Sequence, residues 1–353
     1  MQSTGISRRR FLGTAAAGAL ATAALPNVIT SAKAQGKNEL VFVGFGGSYQ
    51  DGQTKALFEP FEKETGIKVI QTTGVDLAKL RAQIQSKNVE WDLISIPDRL
   101  RYTAVKDDLL TRLNYSVINT KDVMPALVTE HAVGCVTIPM ILTYSTKAYP
   151  AGKAPLTWPD FWDAKKFPGP RGYYNAPTYS LEFALIADGV PKDKLYPLDV
   201  PRALKSLDRI KPDIKVWWSQ FPQPGVLLKS GEITATPWTR SISFVLEGEP
   251  LGISYEGGAL TYEAWVVPKG APHADNAMKF INFALQPKPQ AELTKYIAFG
   301  PTNSQATPLV DPRLRPLLSS NPDNIKKGFL LSGDWWGPNL DKVNEQWNEW
   351  RLK

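Results

Sequence analysis

Residues able to bind or transform a small molecule fall in five short stretches of this 353-residue chain. Phe45-Gly46-Gly47-Ser48-Tyr49 sits between an apolar run and an amphipathic one. Backbone N–H groups at such a helix start, with the helix dipole behind them, suit an anion such as a ligand carboxylate, and Phe45 or Tyr49 would form an apolar wall. The alternative is a plain strand-to-helix turn with packed rings. Asp98, after Pro97 at a predicted strand end, either accepts from a ligand amine or caps the next helix. Tyr174-Asn175 closes another predicted strand and would add polar contacts. In Thr236-Pro237-Trp238-Thr239-Arg240, Arg240 favours an anionic group or lies on the surface. The fifth stretch, Glu256–Trp265, carries Glu263, which suits either a charge-assisted bond to an ammonium or a salt bridge. Thr261 and Tyr262 are weaker candidates by strand alternation, and Glu256 is expected in a turn.

Signatures of bond-breaking chemistry are missing. The sequence has no Gly-x-Ser-x-Gly elbow, Walker loop or Gly-x-Gly-x-x-Gly fingerprint. Two histidines, His131 and His273, are too few for a His-built metal site. His131 and Cys135 would share a helix face, yet Gly134 and the β-like run after it argue for a buried pair. Trp217-Trp218 and Trp335-Trp336 could serve as sugar platforms of a glycosidase whose two acids flank one bond, or simply pack in the core. The pattern favours capture over catalysis, with no cofactor.

The elements that must position these residues read as alternating strands and helices. Leu40–Val43 is a buried strand, Gly44, Gly46 and Gly47 allow a tight turn, and Ser48 is the expected N-cap with Asp51 three residues on. Ala56, Leu57, Phe58 and Phe61 form the apolar face of a helix that Pro60 must kink or end, and Gly66 stops it. Ile67–Ile70, a helix over 76–89 and Trp91–Asp98 complete β-α-β-α-β, the pattern of a parallel sheet covered by helices. Further along, strands are expected at 140–144, 171–176, 233–238, 251–254 and 260–267, and helices at 99–109, 158–164, 181–188, 200–210, 222–230, 275–285, 312–318 and 340–352.

Composition narrows the class. Ser7-Arg8-Arg9-Arg10-Phe11-Leu12, the small-residue stretch 13–25 and Ala32-Lys33-Ala34 read as a twin-arginine export signal over 1–34, cleaved after Ala34. The formal charge of +7 then loses four basic residues, and the longest basic run left is two residues, so nucleic acid is not an expected partner. Cys135 stands alone, which rules out an internal disulfide. A mature chain of this length exceeds one core and suggests two lobes.

Phe58–Val69, and then Glu256-Gly257-Gly258, Ala264–Ala271, Asn276–Phe283 and Gly300-Pro301-Thr302-Asn303, resemble periplasmic solute-binding proteins of ABC importers, in the spermidine/putrescine-binding branch. The resemblance covers nearly the whole mature chain. It implies a two-lobed type II periplasmic binding protein, an α/β fold with a mostly parallel sheet in each lobe and the ligand cleft between them. Lobe 1 would comprise 35–140 plus 264–305, and lobe 2 would comprise 141–263 plus 306–353. Trp238 matches the family tryptophan that stacks on the ligand, and Glu263 stands where polyamine binders place an aspartate that pairs with a ligand ammonium. Phe45 and Gly47 replace a tryptophan and a glutamate of that branch, which argues for a ligand with fewer cationic centres than spermidine. The implied function is capture of a small amine, a polyamine or an amino-acid-like zwitterion, by hinge closure, and delivery to a membrane permease by a periplasmic monomer. A carboxylate, a sugar conjugate, ferric ion held by Tyr173-Tyr174, a sensing role, or a secreted hydrolase on the same fold are the alternatives.

Overall fold

The computed structural model describes residues 38–353; the expected export signal and cleavage site lie outside the described residues. The strands, in chain order, are β1 Glu39–Gly44, β2 Lys68–Thr73, β3 Leu93–Pro97, β4 Val133–Ser145, β5 Arg171–Tyr174, β6 Ile214–Trp218, β7 Ala235–Trp238, β8 Leu251–Val266, β9 Gly300–Pro301 and β10 Phe329–Leu330. Their order across the sheet is β2-β1-β3-β8-β4-β7-β5-β6, with β10 against β8 and β9 against β4. Pairing is parallel at both ends, in β2-β1-β3 and in β7-β5-β6, and antiparallel through the middle, where β8 and β4 run side by side. The parallel strands are joined by helices, as crossover connections require.

Those two long strands run further than the sequence reading expects. Val133–Ser145 is one strand, longer than the 140–144 expected, and β8 runs unbroken through the expected turn at Glu256. The turn survives as a bulge: Met140 pairs with Ala259 while Leu142 pairs with Ser254, so residues 255–258 are extra opposite Ile141. Gly257 takes a left-handed φ of 68° there, and its carbonyl accepts from Trp158 Nε1 at 2.7 Å.

The first helix is also built differently from expectation. It is α-helical over Gly47–Gln53 and Glu59–Thr65, with a π-helical stretch at Thr54–Phe58 just before Pro60, whose missing N–H interrupts the ladder. Gly66 at φ 71° ends it, as the sequence suggests. Ser48 is not its cap. The N-cap is Gly46, and Gln50 Oε1 reaches back to the Gly46 N–H at 2.9 Å. The helix at Val200–Ile210 has the expected bounds; the 3-10 turn Arg315–Leu317 stands where a longer helix is expected. Helices Pro287–Leu293 and Pro322–Lys327, and strand β6, are absent from the sequence reading.

Apolar burial separates into two main cores. Phe42, Phe58, Phe61, Trp265 and Phe280 fill one, beside the N-terminal strands. Trp158, Phe161, Tyr173, Phe183, Trp218, Trp336 and Trp347 fill the other. The paired tryptophans therefore pack inward: Trp218 Nε1 donates to Thr236 Oγ1 and Trp336 Nε1 to the buried Glu182 carboxylate. The C-terminal helix Gly333–Leu352 buries Trp336, Val343, Trp347 and Trp350 in the second core and lies against helix Asp98–Lys106 at one end. A Cβ at Gly333 would fall on the Asp98 carboxylate, and one at Gly337 on the Tyr102 side chain.

Gly337→Ala tests that close approach. Helix propensity alone would add about 0.5–1 kcal/mol of stability. The overlap with Tyr102 should instead cost about 1–3 kcal/mol. A lower melting temperature is therefore expected, and one at or above the parent would show that the two helices are not tightly packed.

Candidate ligand-binding site

A cavity of about 630 Å³ lies where the ends of β1, β3, β5, β7 and β8 meet. Sheet ends of this kind are where α/β proteins bind ligands, and the volume is that of a small-molecule site. Of the residues expected in the site, it gathers Phe45, Gly46, Tyr49, Tyr174, Arg240 and Glu263. Phe45 is exposed at its rim.

Glu263 is the chemical centre of the cavity. On β8 it pairs with Pro97 on one side and Val136 on the other, which fixes its side chain at the junction of three strands. Its Oε2 is buried and has no hydrogen-bond partner. Burial raises its carboxyl from the ordinary 4.5 to about 7, with the Arg99 charge and the Ser95 hydroxyl pulling the other way. Beneath it, Cys135 Sγ donates to the Glu263 carbonyl at 3.2 Å and lies 3.8 Å from the Tyr49 hydroxyl. Burial holds the Tyr49 and Cys135 protons far above their usual range, so this floor is neutral.

Two cations share the cavity with that carboxylate. Arg99 and Arg240 both line it, both are half-buried, and neither forms an ion pair among the described residues. The rest of the wall is mainly aromatic: Tyr174, Tyr179, Phe221 and Phe299. Tyr174 and Phe221 stack at 5.6 Å. Tyr179 sits at φ 70°, a left-handed conformation costing on the order of 1–3 kcal/mol in a non-glycine residue, and such strain gathers at functional sites.

Five expected residues are not in the lining. Trp238 has no exposed surface; its Nε1 donates to the Phe221 carbonyl at 2.7 Å and its ring packs on Phe244, so it supports the wall from behind. Asp98 is buried and satisfied, accepting from Tyr262 Oη and from Arg101 Nε at 2.7 Å, and Arg101 reaches on to Asp334. Asn175 accepts from Arg351 Nε at 3.1 Å. Gly47 and Ser48 are exposed outside the cavity. The glycine turn offers less backbone than expected, because the Gly46 N–H is already taken by Gln50. Tyr173 is fully buried and donates to the Ser180 carbonyl at 3.1 Å, so it does not join Tyr174 as a metal ligand. No cluster of metal-ligating side chains occurs among the described residues.

Several lining residues escaped the sequence reading. Arg99 was passed over for its neighbour Asp98, though the first turn of a helix after a strand sends successive side chains in different directions. Thr261, named there only as a weaker candidate by strand alternation, shares a strand face with Glu263 two residues on, and lines the cavity. Tyr179, Phe221, Phe299, Leu340 and Asn344 carry no local signal.

The raised Glu263 carboxyl makes stability depend on pH. The folded protein takes up the proton near pH 7 and the unfolded chain only near 4.5, so this group favours folding in acid and loses that contribution as pH rises through 7. Unliganded Glu263→Gln should therefore be more stable than the parent at pH 8 and nearly equal to it at pH 4. Equal melting temperatures at both pH values would mean that Glu263 is solvated and ionised throughout.

Residues 56–320 match the model of the family described as bacterial extracellular solute-binding protein. A gamma-aminobutyric acid-binding protein of Pseudomonas aeruginosa is 32% identical over 92% of this chain and 93% of its own. The spermidine/putrescine-binding periplasmic protein of Escherichia coli is 24% identical over 90% and 91%. The solved structure of the binding protein AgtB of A. tumefaciens R10, in complex with agropinic acid, is 40% identical, with a TM-score of 0.75 over 90% of this chain and 100% of that one. The fold, the cavity at its strand ends and these likenesses agree: the chain belongs to the bacterial extracellular solute-binding protein family.

Proposed function

We propose that this protein captures a small zwitterion, an ω-amino acid or a conjugate of one, and presents it to the permease of an ABC importer. The observation that carries the reading is the meeting of one unpaired carboxylate, Glu263, with two unpaired guanidiniums, Arg99 and Arg240, in a single cavity. Glu263 would take the ligand ammonium, and Arg240, with Arg99 as the second cation, would take the carboxylate. Tyr174, Tyr179 and Phe221 would cover the carbon chain between them. A diamine fits this charge pattern poorly, since it would place a second ammonium beside two arginines, and like charges at close quarters cost affinity. The relatives' names support both ligand classes; the arginines favour the amino acid.

No step of this reading breaks a covalent bond. Lobes at 35–140 plus 264–305 and at 141–263 plus 306–353 would close on the ligand by bending where β4 and β8 change register, since contacts to both sides select the closed state. Export on the twin-arginine signal, cleavage after Ala34, a periplasmic location and a monomeric state complete the proposal.

Titration calorimetry on ligand-stripped protein starting at Gln35 checks it. γ-Aminobutyrate should bind one to one, and putrescine more weakly or not at all. Glu263→Gln should weaken γ-aminobutyrate by about tenfold or more, as loss of a charge-assisted bond implies. Arg240→Met should weaken γ-aminobutyrate while sparing or improving putrescine. Tighter binding of putrescine by the parent protein would sink the zwitterion reading and return the site to the polyamines.

A further inference from the structure

A second cavity, of about 410 Å³, shares no lining residue with the ligand cavity. It is framed mostly by the chain between Pro301 and Ile325, and β9 fastens the start of that chain to β4 at Val136 and Thr137. Tyr255 of the β8 bulge donates to the Leu317 carbonyl at 2.8 Å. Asn324 Nδ2 holds the Pro316 and Leu318 carbonyls, each at 2.9 Å. The hollow is therefore braced on several sides, and its volume is that of a small-molecule site.

Its walls are chiefly apolar: Met124, Pro301, Pro308, Pro322 and Ile325. Three of these are prolines, which have no N–H to offer a ligand. Two lining side chains carry donors that nothing accepts. Arg315 gives Nη2 to the Pro308 and Val310 carbonyls at 2.9 and 3.0 Å, while its buried Nε has no partner. The buried Ser320 Oγ has none either. Both atoms are closed to solvent, so bulk water does not satisfy them, and an unmade bond at a buried donor is costly.

Charge is unbalanced in the same place. No carboxylate lines the cavity, and Arg315 forms no ion pair among the described residues. The acids nearest to it in sequence are engaged elsewhere, Asp311 with Arg313 at 2.8 Å and Asp323 with Lys326 at 3.8 Å. A guanidinium in an apolar hollow has a specific complement. Its planar fork matches a carboxylate, and the proline and methionine walls match an apolar body behind that carboxylate. An inorganic oxyanion would leave the walls uncovered, and a hydrocarbon would leave Arg315 uncompensated.

We infer that this cavity is a second binding site, for a small apolar monocarboxylate whose charged end meets Arg315 and Ser320. It stands apart from the zwitterion reading, since neither Glu263 nor Arg240 lines it.

The test follows 4-fluorobenzoate, a carboxylate on a compact apolar ring, by fluorine NMR with the full mature chain. Saturable one-to-one binding at about millimolar concentration or below is expected. It should be unchanged within about twofold when Arg99→Met and Arg240→Met together remove both cations of the ligand cavity. Arg315→Met should weaken it about tenfold or more, as loss of a charge-assisted bond implies. Ile325→Trp, which fills the hollow and leaves Arg315 in place, should weaken it as much, and it is read alone if Arg315→Met lowers the melting temperature. 4-Fluorobenzyl alcohol should bind about tenfold more weakly than the acid, and sulfate should not displace the probe. No saturable binding overturns the assignment, as does binding that is lost with Arg99 and Arg240 but kept in Arg315→Met. Binding of the alcohol within about twofold of the acid, or displacement by sulfate, overturns it too. γ-Aminobutyrate, titrated separately, should bind Ile325→Trp as it binds the parent protein, so failure here leaves the zwitterion site standing.

Discussion

An unpaired buried carboxylate oxygen is the constraint around which this structure makes sense. A carboxylate withdrawn from water without a partner is costly, and a group so placed either takes up a proton or waits for a cation. Backbone pairing on both sides fixes the direction in which the Glu263 side chain leaves the sheet, toward the cavity. Arg99 is near enough to lower its proton affinity but forms no bond to it. Had Arg99 closed a salt bridge, the site would be satisfied by itself and a ligand ammonium would have to break that pair first. The neutral floor of Tyr49 and Cys135 adds no competing charge. What remains is a carboxylate whose best partner is an ammonium from outside.

The same two strands that hold Glu263 also connect the two cores. β4 and β8 cross from one to the other, and the ladder they form is irregular at Met140–Leu142, opposite residues 255–258. A bulge bends a strand without ending it, which suits a connection that must flex yet keep register for the residues beyond. Gly257 is placed to allow it, since any side chain there would strike Trp158 and would resist the left-handed backbone. The irregularity and the cavity lining thus fall on different parts of one strand, the bulge at 255–258 and the lining groups at Thr261 and Glu263.

Much of the frame was legible because it follows from local pattern. The βαβαβ opening, the stop at Gly66 and the helix Val200–Ile210 all rest on apolar periodicity and glycine chemistry, and all appear as read. Glu263, singled out by the family resemblance, lines the cavity. Other expectations failed for a common physical reason. Trp238, Asp98 and Asn175 have the right chemistry and sit beside the site, but each is satisfied by a partner distant in sequence: Phe221, Tyr262 and Arg351 respectively. A sequence displays a polar side chain and conceals its partner, so a satisfied group and a waiting one look alike. Arg99 is the converse case, a waiting group hidden beside a more conspicuous acid. Tyr179 adds a third kind of concealment, because a left-handed φ in a tyrosine is imposed by surroundings and leaves no mark in local composition.

Charge count explains how one scaffold could serve both diamines and amino acids. A site for a flexible dication needs acids at both ends, and here one acid, Glu263, shares the cavity with two guanidiniums, Arg99 and Arg240. The turn at Phe45-Gly46-Gly47 contributes to this by what it lacks: it carries no acid, and its one well-placed N–H is spent on Gln50. An anionic group entering the cavity would instead meet guanidiniums, which remain charged at any physiological pH and grip carboxylates through planar, paired donors. Burial pushes the Glu263 carboxyl, by contrast, up to about 7, so its charge responds to pH and those of the guanidiniums do not. Binding of an ammonium would favour the ionised carboxylate and release a proton, so affinity for a zwitterion should rise with pH through about 7 for reasons set entirely by Glu263.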